Sequence, residues 1–197
     1  MFEREAWEER YRAQPALWSG RPNPQLVVAA RSLEPGRALD VGCGEGADAI
    51  WLAGRGWEVT AVDISTVALE RAVAHSAGTP VTWVHADLRD EPPRKKAFDL
   101  VSAQYLHLPG ESRRQLFAHL AEAVAPGGML LIVGHDPADV RHQHHGVPDM
   151  FFTAEEIAGS LDPTEWRVLA AETRERAGVD PAAQDTTVRD VVLLATR

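Results

Sequence analysis

The residue types best suited to chemistry gather in one glycine-rich stretch, Asp40-Val41-Gly42-Cys43-Gly44-Glu45-Gly46, which follows an apolar run. Glycines let the backbone turn sharply and let a ligand approach the chain, and the N–H groups of a following helix can hold that ligand. The spacing therefore predicts a ligand-binding turn between a strand and a helix. Gly42, Gly44 and Ala47 also fit the dinucleotide fingerprint, and a tight turn without a ligand is a further alternative.

Two more carboxylates follow the next two predicted strands. Asp63 comes after residues 57–62, and Asp87 comes after residues 81–86. A carboxylate in the position of Asp63 can accept hydrogen bonds from both hydroxyls of a ribose. Asp87 could accept from the amino group of an adenine. Together with Asp40, these acids predict a ligand-binding crevice at the carboxyl ends of adjacent strands.

Candidate residues for the reacting partner follow the next predicted strands. Tyr105 and His107 come after the strand at 98–103, and His135 comes after the strand at 129–133. We interpret all three as catalytic or substrate-contacting, since a histidine can act as a base near neutral pH. The alternative is that they pack or anchor loops.

The order of predicted elements positions these residues. Strands are predicted at 37–41, 57–62, 81–86, 98–103, 129–133, 166–176 and 187–196, and helices at 2–14, 25–32, 46–53, 65–76 and 110–124. The alternation predicts a parallel α/β sheet with helices on both faces. Pro126-Gly127-Gly128 is expected to stop the preceding helix. The final two strands have only a short connection, so we expect antiparallel neighbours, the last in the interior and the other at an edge.

Taken together, the motifs resemble those of the class I S-adenosylmethionine (SAM) dependent methyltransferases. The matching stretches are 38–46, Val62-Asp63-Ile64-Ser65, Ala86-Asp87-Leu88, Phe98-Asp99-Leu100-Val101 and 120–128. The resemblance covers nearly the whole chain from Arg37. It implies a Rossmann-like, doubly wound, seven-stranded and mostly parallel sheet with the last strand inserted antiparallel.

The resemblance also implies SAM as the cofactor and a role for each matched residue. The methionine part of SAM would lie near Asp40, Gly42 and Gly44. Asp63 would take the ribose, and Asp87 with the Leu88 backbone would take the adenine. The cofactor contacts expected in this way are Asp40, Gly42, Cys43, Gly44, Gly46, Asp63, Ile64, Asp87, Leu88 and Gln104. We interpret Cys43 as a structural spacer, although a thiol at a helix N-terminus can be activated.

The first residues resemble a narrower group. Trp7 to Tyr11 followed by Trp18 to Pro24 is similar to the opening of tellurite-resistance, thiopurine and halide or thiol methyltransferases. This resemblance implies a single SAM-binding methyltransferase domain, 1–197, in which residues 1–33 are a helical cover over the pocket and 37–197 the catalytic core. Trp7, Tyr11 and Trp18 would then contact substrate. The alternative is that these aromatic side chains simply pack.

Composition and net charge limit the class of binding partner and the cellular compartment that we expect for this protein. The net charge is −9, with 29 acidic and 20 basic residues, so phosphate backbones are repelled and a small molecule is favoured over nucleic acid. No apolar run approaches the roughly 20 residues of a membrane span. The charged N-terminus and the single cysteine predict a cytoplasmic protein. Oligomeric state stays open.

A histidine cluster falls in the loop from His135 to Phe152, after the fifth predicted strand. It comprises His135, His142, His144 and His145. Such a cluster can bind zinc or nickel, but the spacing matches no standard structural site and no cysteine accompanies it. We therefore expect a lid-like loop and no metal, with metal binding as the alternative.

The hypothesis favoured by these observations is a small-molecule methyltransferase that works by in-line transfer from the SAM sulfonium. The acceptor could be a thiol, a halide, a metalloid oxyanion or a heterocycle. An NAD-dependent oxidoreductase is an alternative, but it gives no reason for Asp40, Asp87 or the terminal hairpin. A SAM-binding module without catalysis is the other alternative.

Overall fold

The computed structural model describes residues 4–138, 149–177 and 187–197. Within these ranges the helices are α1 (Arg4–Ala13), α2 (Pro24–Ala30), α3 (Ala47–Ala53), α4 (Thr66–Ser76), α5 (Gly110–Ala123) and α6 (Ala154–Ala158). The strands are β1 (Arg37–Val41), β2 (Glu58–Asp63), β3 (Val81–His85), β4 (Phe98–Gln104), β5 (Val124–His135), β6 (Arg167–Ala177) and β7 (Thr187–Thr196).

The strands form one seven-stranded sheet in the order β3-β2-β1-β4-β5-β7-β6. β7 runs antiparallel to both β5 and β6, while the pairs from β3 to β5 are parallel. The predicted fold class, the interior position of the last strand and the edge position of β6 are therefore confirmed. The chain order reverses between β1 and β4, which makes the carboxyl ends of these two strands the switch point where such sheets bind ligands.

Both faces of the sheet are covered, as the apolar strands require. Neighbouring residues of a strand belong to different core clusters: Leu130 and Ile132 pack on one face, and Leu131 and Val133 on the other. All four are buried. Because alternate side chains point to opposite faces, a strand without polar positions needs helices on both sides.

One boundary prediction was wrong. β5 begins at Val124 rather than at Met129, so Pro126-Gly127-Gly128 lies inside the assigned strand. The register with β4 moves from Phe98 opposite Val124 to Leu100 opposite Met129. The intervening residues bulge out, yet Gly127 N–H donates to Arg197 O (2.7 Å) and Arg197 N–H donates to Gly128 O (3.0 Å). Pairing with the end of the chain thus carries the strand through residues that usually interrupt one.

Two helices begin at side-chain caps. Ser65 Oγ accepts from Ala68 N–H (3.2 Å) at the start of α4, and Thr153 Oγ1 accepts from Glu156 N–H (3.1 Å) at the start of α6. No helix in the described ranges is sufficiently long and apolar to cross a bilayer.

Candidate active site

The glycine loop lies between the end of β1 and α3, at the switch point. Gly42, Gly44 and Gly46 have φ of 68°, 54° and 86°, the left-handed region that favours glycine. The N–H groups of Gly42 and Cys43 both donate to Val62 O, at 2.8 and 3.0 Å. These bonds fasten the loop to β2 and bring it close to Asp63.

Two polar side chains at the switch point each keep a buried oxygen without a hydrogen-bond partner among the described residues. These oxygens are Asp40 Oδ2 and Gln104 Oε1. Asp40 is 2% exposed, and it lies opposite Ser102 in the β1–β4 register. Gln104 follows Ser102 by two residues and donates to its hydroxyl (2.7 Å), so all three side chains share one face of the sheet. The two oxygens could therefore accept from a ligand with several donors.

Asp63 connects the loop to the end of β2. Its Oδ2 accepts from Gly44 N–H (2.8 Å) and its Oδ1 accepts from Ser65 N–H (2.9 Å). Burial raises the pKa of this carboxyl despite those bonds. An ionised carboxylate has about four acceptor positions, so each oxygen can still accept one more hydrogen bond. That capacity fits the two hydroxyls of a ribose.

Asp87 follows β3 and is paired with Arg89. The guanidinium binds both carboxylate oxygens, with Nε 2.9 Å from Oδ1 and Nη2 2.5 Å from Oδ2. Hydrogen bonding by Arg89 lowers the pKa of Asp87. Leu88 beside it is buried, and its carbonyl is 3.3 Å from His119 Nδ1. An adenine amino group at Asp87 would thus share an oxygen with Arg89.

Other loop residues have structural surroundings. A Cβ added at Gly46 would lie 2.7 Å from the Trp83 ring and 2.9 Å from Ala72 Cβ, so this glycine permits close packing of the loop against β3 and α4. Burial, followed by the charge of Asp40, raises the pKa of the Cys43 thiol well above its usual range. A thiol held protonated is compatible with the interpretation of Cys43 as a spacer. Just after β2, the Ile64 carbonyl oxygen is 3.0 Å from His85 Nε2.

The predicted cover residues lie against the glycine loop. We call residues 4–33 the N-terminal segment. Trp18 Nε1 donates to Tyr11 Oη (2.9 Å), and a Cβ added at Gly44 would lie 3.0 Å from Tyr11 Oη and 3.1 Å from Trp18 Nε1. The Trp7 ring is 6.1 Å from the Tyr11 ring. These aromatic side chains are thus grouped at the loop, and Trp18 is still 48% exposed.

The three candidate catalytic side chains come together as a row of rings. His135 lies against both Tyr105 and His107, with ring centroids 4.5 and 5.0 Å apart, and the row bends sharply at His135 because the Tyr105 and His107 centroids are only 6.4 Å apart. Phe151 continues the row, 5.2 Å from His107. His107 Nε2 accepts from the His135 backbone N–H (3.2 Å), so a neutral His107 carries its proton on Nδ1. The ring row therefore lies where β4 and β5 end.

Tyr105 is held by a buried network that sequence reasoning missed. Its hydroxyl donates to Asp190 Oδ1 (3.0 Å) and accepts from Arg176 Nε (3.1 Å), which also binds Asp190 Oδ2 (2.8 Å). Gln25 Nε2 is 3.5 Å from the same Asp190 oxygen. Burial and the nearby Asp190 charge raise the pKa of Tyr105. Its φ of 55° is unusual for a residue other than glycine and marks backbone strain of the kind found at functional sites.

Three residues of the histidine cluster, His142, His144 and His145, lie outside the described residues. In the part of the chain that the structure describes, no group of three or more His, Cys, Asp or Glu side chains could hold a metal ion. The lid prediction stays a prediction.

The chain is similar to known proteins over part of its sequence and over nearly all of its fold. Residues 38–128 match the family model of a methyltransferase domain. A 96-residue stretch is 43% identical to an uncharacterized methyltransferase of Mycobacterium tuberculosis, and the match covers 48% of this chain and 48% of that one. A probable thiol methyltransferase of Arabidopsis thaliana is 29% identical over 179 residues, which is 87% of this chain and 77% of that one.

The structure also superposes on a chain solved in work on the conversion of a disulfide bond into a thioacetal group during echinomycin biosynthesis. The TM-score is 0.79 at 25% identity, and the match covers 98% of this chain and 91% of that one. Residues 38–128 are a methyltransferase domain, and the fold is that of the class I SAM-dependent methyltransferases. SAM is the methyl donor of that family. The chain spans about half the length of its Mycobacterium relative.

The match to a methyltransferase domain, with the observed sheet, confirms the family and fold predicted from the sequence. It leaves the individual site residues as predictions, because none of the matches assigns a role to a position of this chain. The geometry places the predicted cofactor contacts around the switch point. It places the predicted catalytic residues in the neighbouring ring row.

Proposed function

We propose that the chain binds SAM at the glycine loop and catalyses transfer of its methyl group to a small-molecule acceptor. The observation that carries the proposal is the pair of buried oxygens, Asp40 Oδ2 and Gln104 Oε1, beside that loop. Burial leaves Asp40 with a raised pKa, so a cation would favour its ionised form. The α-ammonium of the methionine part of SAM is such a cation and has three donors. The two side chains fit that group.

The remaining contacts support the same ligand. Asp63 keeps acceptor capacity on both oxygens for the ribose hydroxyls. Asp87 and the Leu88 backbone would meet the adenine, with Arg89 holding Asp87 ionised. We propose that the N-terminal segment covers this site and that residues 37–197 form the catalytic core of one domain.

When bound, SAM supplies an electrophilic methyl on a sulfonium, which leaves as a neutral thioether. The work of the protein is then alignment and exclusion of water. Tyr11 and Trp18 would shield the loop side, and the ring row would contact the acceptor. Tyr105 hydrogen-bonds in both directions, so we assign it the positioning of His135 rather than proton transfer. His135 would take a proton only from an acceptor that arrives protonated. In the arrangement described, the acceptor nitrogen of His107 already accepts from the His135 backbone N–H, so His107 would first have to release that bond.

Among small acceptors, a thiol has the most support. The Arabidopsis relative is named as a probable thiol methyltransferase, and the superposed structure comes from work on a disulfide and a thioacetal. Sulfur also makes favourable contacts with aromatic rings, which the row from Tyr105 to Phe151 provides. The net charge of −9 argues against nucleic acid. We propose a cytoplasmic location, where thiols stay reduced.

A methyl-transfer screen with radiolabelled SAM tests the proposal. The acceptors are thiophenol, 2-mercaptoethanol, iodide, tellurite, a phenol and a quinoline. We expect labelled product from the thiols. A chain that binds S-adenosylhomocysteine but labels none of these acceptors would contradict the proposed activity and favour the non-catalytic module.

The same screen tests the histidines. An aromatic thiol is largely ionised at neutral pH, whereas an alkyl thiol with a pKa near that of cysteine, about 8.5, is not. In His107→Ala and His135→Ala, we expect the variant that removes the base to lose about 10²- to 10⁴-fold in rate with 2-mercaptoethanol and far less with thiophenol. Equal losses with both thiols would assign these residues to binding rather than to proton transfer.

A further inference from the structure

One residue of the glycine loop directs its side chain to the N-terminal segment. The carboxylate of Glu45 accepts from Leu17 N–H (3.2 Å) and from Trp18 N–H (3.1 Å). It also accepts from Arg71 Nη1 (2.8 Å), and its side chain is 4% exposed. Burial disfavours the ionised form, but the bonds from Arg71, Trp18 and Leu17 outweigh burial and lower the pKa of Glu45. The carboxylate is therefore charged when it holds the segment.

Arg71 of α4 holds the same segment at a second place. Its Nη2 donates to the carbonyls of Tyr11 (2.5 Å) and Gln14 (2.7 Å). The Tyr11 ring also lies 5.8 Å from the guanidinium carbon. These carbonyls belong to the last turn of α1 and the residues just after it, where unpaired oxygens favour a cation. One ion pair thus binds both the end of α1 and the turn that carries Trp18.

The parts held by this pair are those that touch the loop. Tyr11 Oη and Trp18 Nε1 are hydrogen-bonded to each other and lie next to Gly44. Gly44 is the middle one of the three left-handed glycines of the loop. Elsewhere, Glu8 accepts from Thr66 N–H (2.7 Å) at the start of α4, which docks the first turns of α1. Glu45 differs from Glu8 because its own backbone is part of the cofactor loop.

We infer that Glu45 and Arg71 form a clasp that positions Tyr11 and Trp18 against the glycine loop, so that order in the N-terminal segment and affinity for the cofactor depend on one ion pair. The cofactor half of this inference rests on the proposed function. Glu45 and Arg71 are positioning residues, since both act through the segment that they hold.

The test compares Glu45→Ala, Arg71→Met and the double variant with wild type. Glu70→Ala is the matched control, because Glu70 is the exposed neighbour of Arg71 on α4. The first readout is the rate of tryptic cleavage after Arg10 and Arg12, followed by mass spectrometry. The second readout is the dissociation constant of S-adenosylhomocysteine by calorimetry, and the third is the melting temperature.

We expect each single variant to speed cleavage and to weaken S-adenosylhomocysteine binding by about tenfold, the value of a charge-assisted hydrogen bond. The cleavage rate and the dissociation constant of the double variant should stay within about twofold of those of the more affected single variant, because each single substitution already removes the same ion pair. Glu70→Ala should match wild type in all three readouts.

Two results would overturn the clasp. One is cleavage after Arg10 and Arg12 that stays within about twofold of wild type in both single variants. The other is cleavage that rises equally after Arg55 and Arg167, which lie outside the N-terminal segment, since this would indicate general unfolding. Arg71→Met leaves the sequence of the glycine loop intact, so its cleavage rates test the clasp even if Glu45→Ala does not fold. If wild type fails to bind S-adenosylhomocysteine, the proposed function falls, and the cleavage rates still judge the clasp.

Discussion

At the scale of single residues, the glycine loop is surrounded by carboxyl groups that are costly to ionise. Burial is the main cause of a raised pKa at Asp40, Asp48 and Asp63. The pKa of Asp48 rises to about 6, although its Oδ1 accepts from Asn23 N–H (2.6 Å). Three such acids near one loop repel one another, and a bound cation would relieve that repulsion. This electrostatic arrangement favours a ligand with a positive charge.

The first prediction concerns Asp48→Asn. The raised pKa means that the folded state binds the proton more tightly than the unfolded state, so Asp48 makes stability fall as pH rises from 3.8 to about 6. The variant should lack that fall and be more stable than wild type by about 1–3 kcal/mol at neutral pH. It should also bind S-adenosylhomocysteine more weakly, because a charge that favours the ammonium is gone.

Urea unfolding across this pH range, with the variant and wild type side by side, measures the effect. The quantity of interest is the difference in unfolding free energy, since other carboxyls titrate in the same window. If the difference in unfolding free energy between the variant and wild type does not change with pH, the raised pKa of Asp48 in the folded state is contradicted.

At the scale of elements, one buried arginine joins three segments. Arg113 of α5 is 1% exposed. It donates to the Asp149 carbonyl (2.6 Å) and to Glu156 Oε1 (2.8 Å), with Leu108 O at 3.4 Å. It therefore ties the turn after β4 to the residues that lead into α6. Those residues include Phe151, which extends the ring row.

The second prediction is that Arg113→Met destabilises the fold by about 1–3 kcal/mol, because the partly buried carbonyls of Asp149 and Leu108 lose their donor. Glu156→Gln is the matched control: its side chain is 46% exposed, so removing the charge should cost less than about 1 kcal/mol. Thermal unfolding of both variants gives the comparison. Equal losses would mean that the ion pair, rather than the backbone carbonyls, explains the burial of Arg113.

At the scale of the whole molecule, the fold was largely predictable. Each strand–helix unit carries its own apolar periodicity, and parallel neighbours require crossovers, so alternation alone indicates a doubly wound sheet. The start of β5 was not predictable because its pairing partner, Arg197, is at the far end of the chain. A long-range partner overrode the local signal of Pro126-Gly127-Gly128.

The positions of site residues were predictable only where those residues lie at the carboxyl end of a strand. Asp40 and Asp63 lie at the carboxyl ends of β1 and β2, and the glycine loop follows β1, so their positions could be inferred. Asp190 contacts Tyr105 and Gln25, which are 85 and 165 residues away in sequence. Its one local signal is a carboxyl within an apolar run. Nothing near Gln25 or Arg113 in the sequence indicated burial, because those contacts exist only after the sheet has formed.

The central claim is that this switch point binds SAM, and calorimetry with S-adenosylhomocysteine and with NAD tests it most directly. The measurement uses wild type and Asp63→Ala, which removes both oxygens that hold Gly44 and Ser65. We expect wild type to bind S-adenosylhomocysteine at one site, Asp63→Ala to bind it at least about tenfold more weakly, and NAD to give no binding heat. Tight binding of NAD with no response to S-adenosylhomocysteine would contradict the claim.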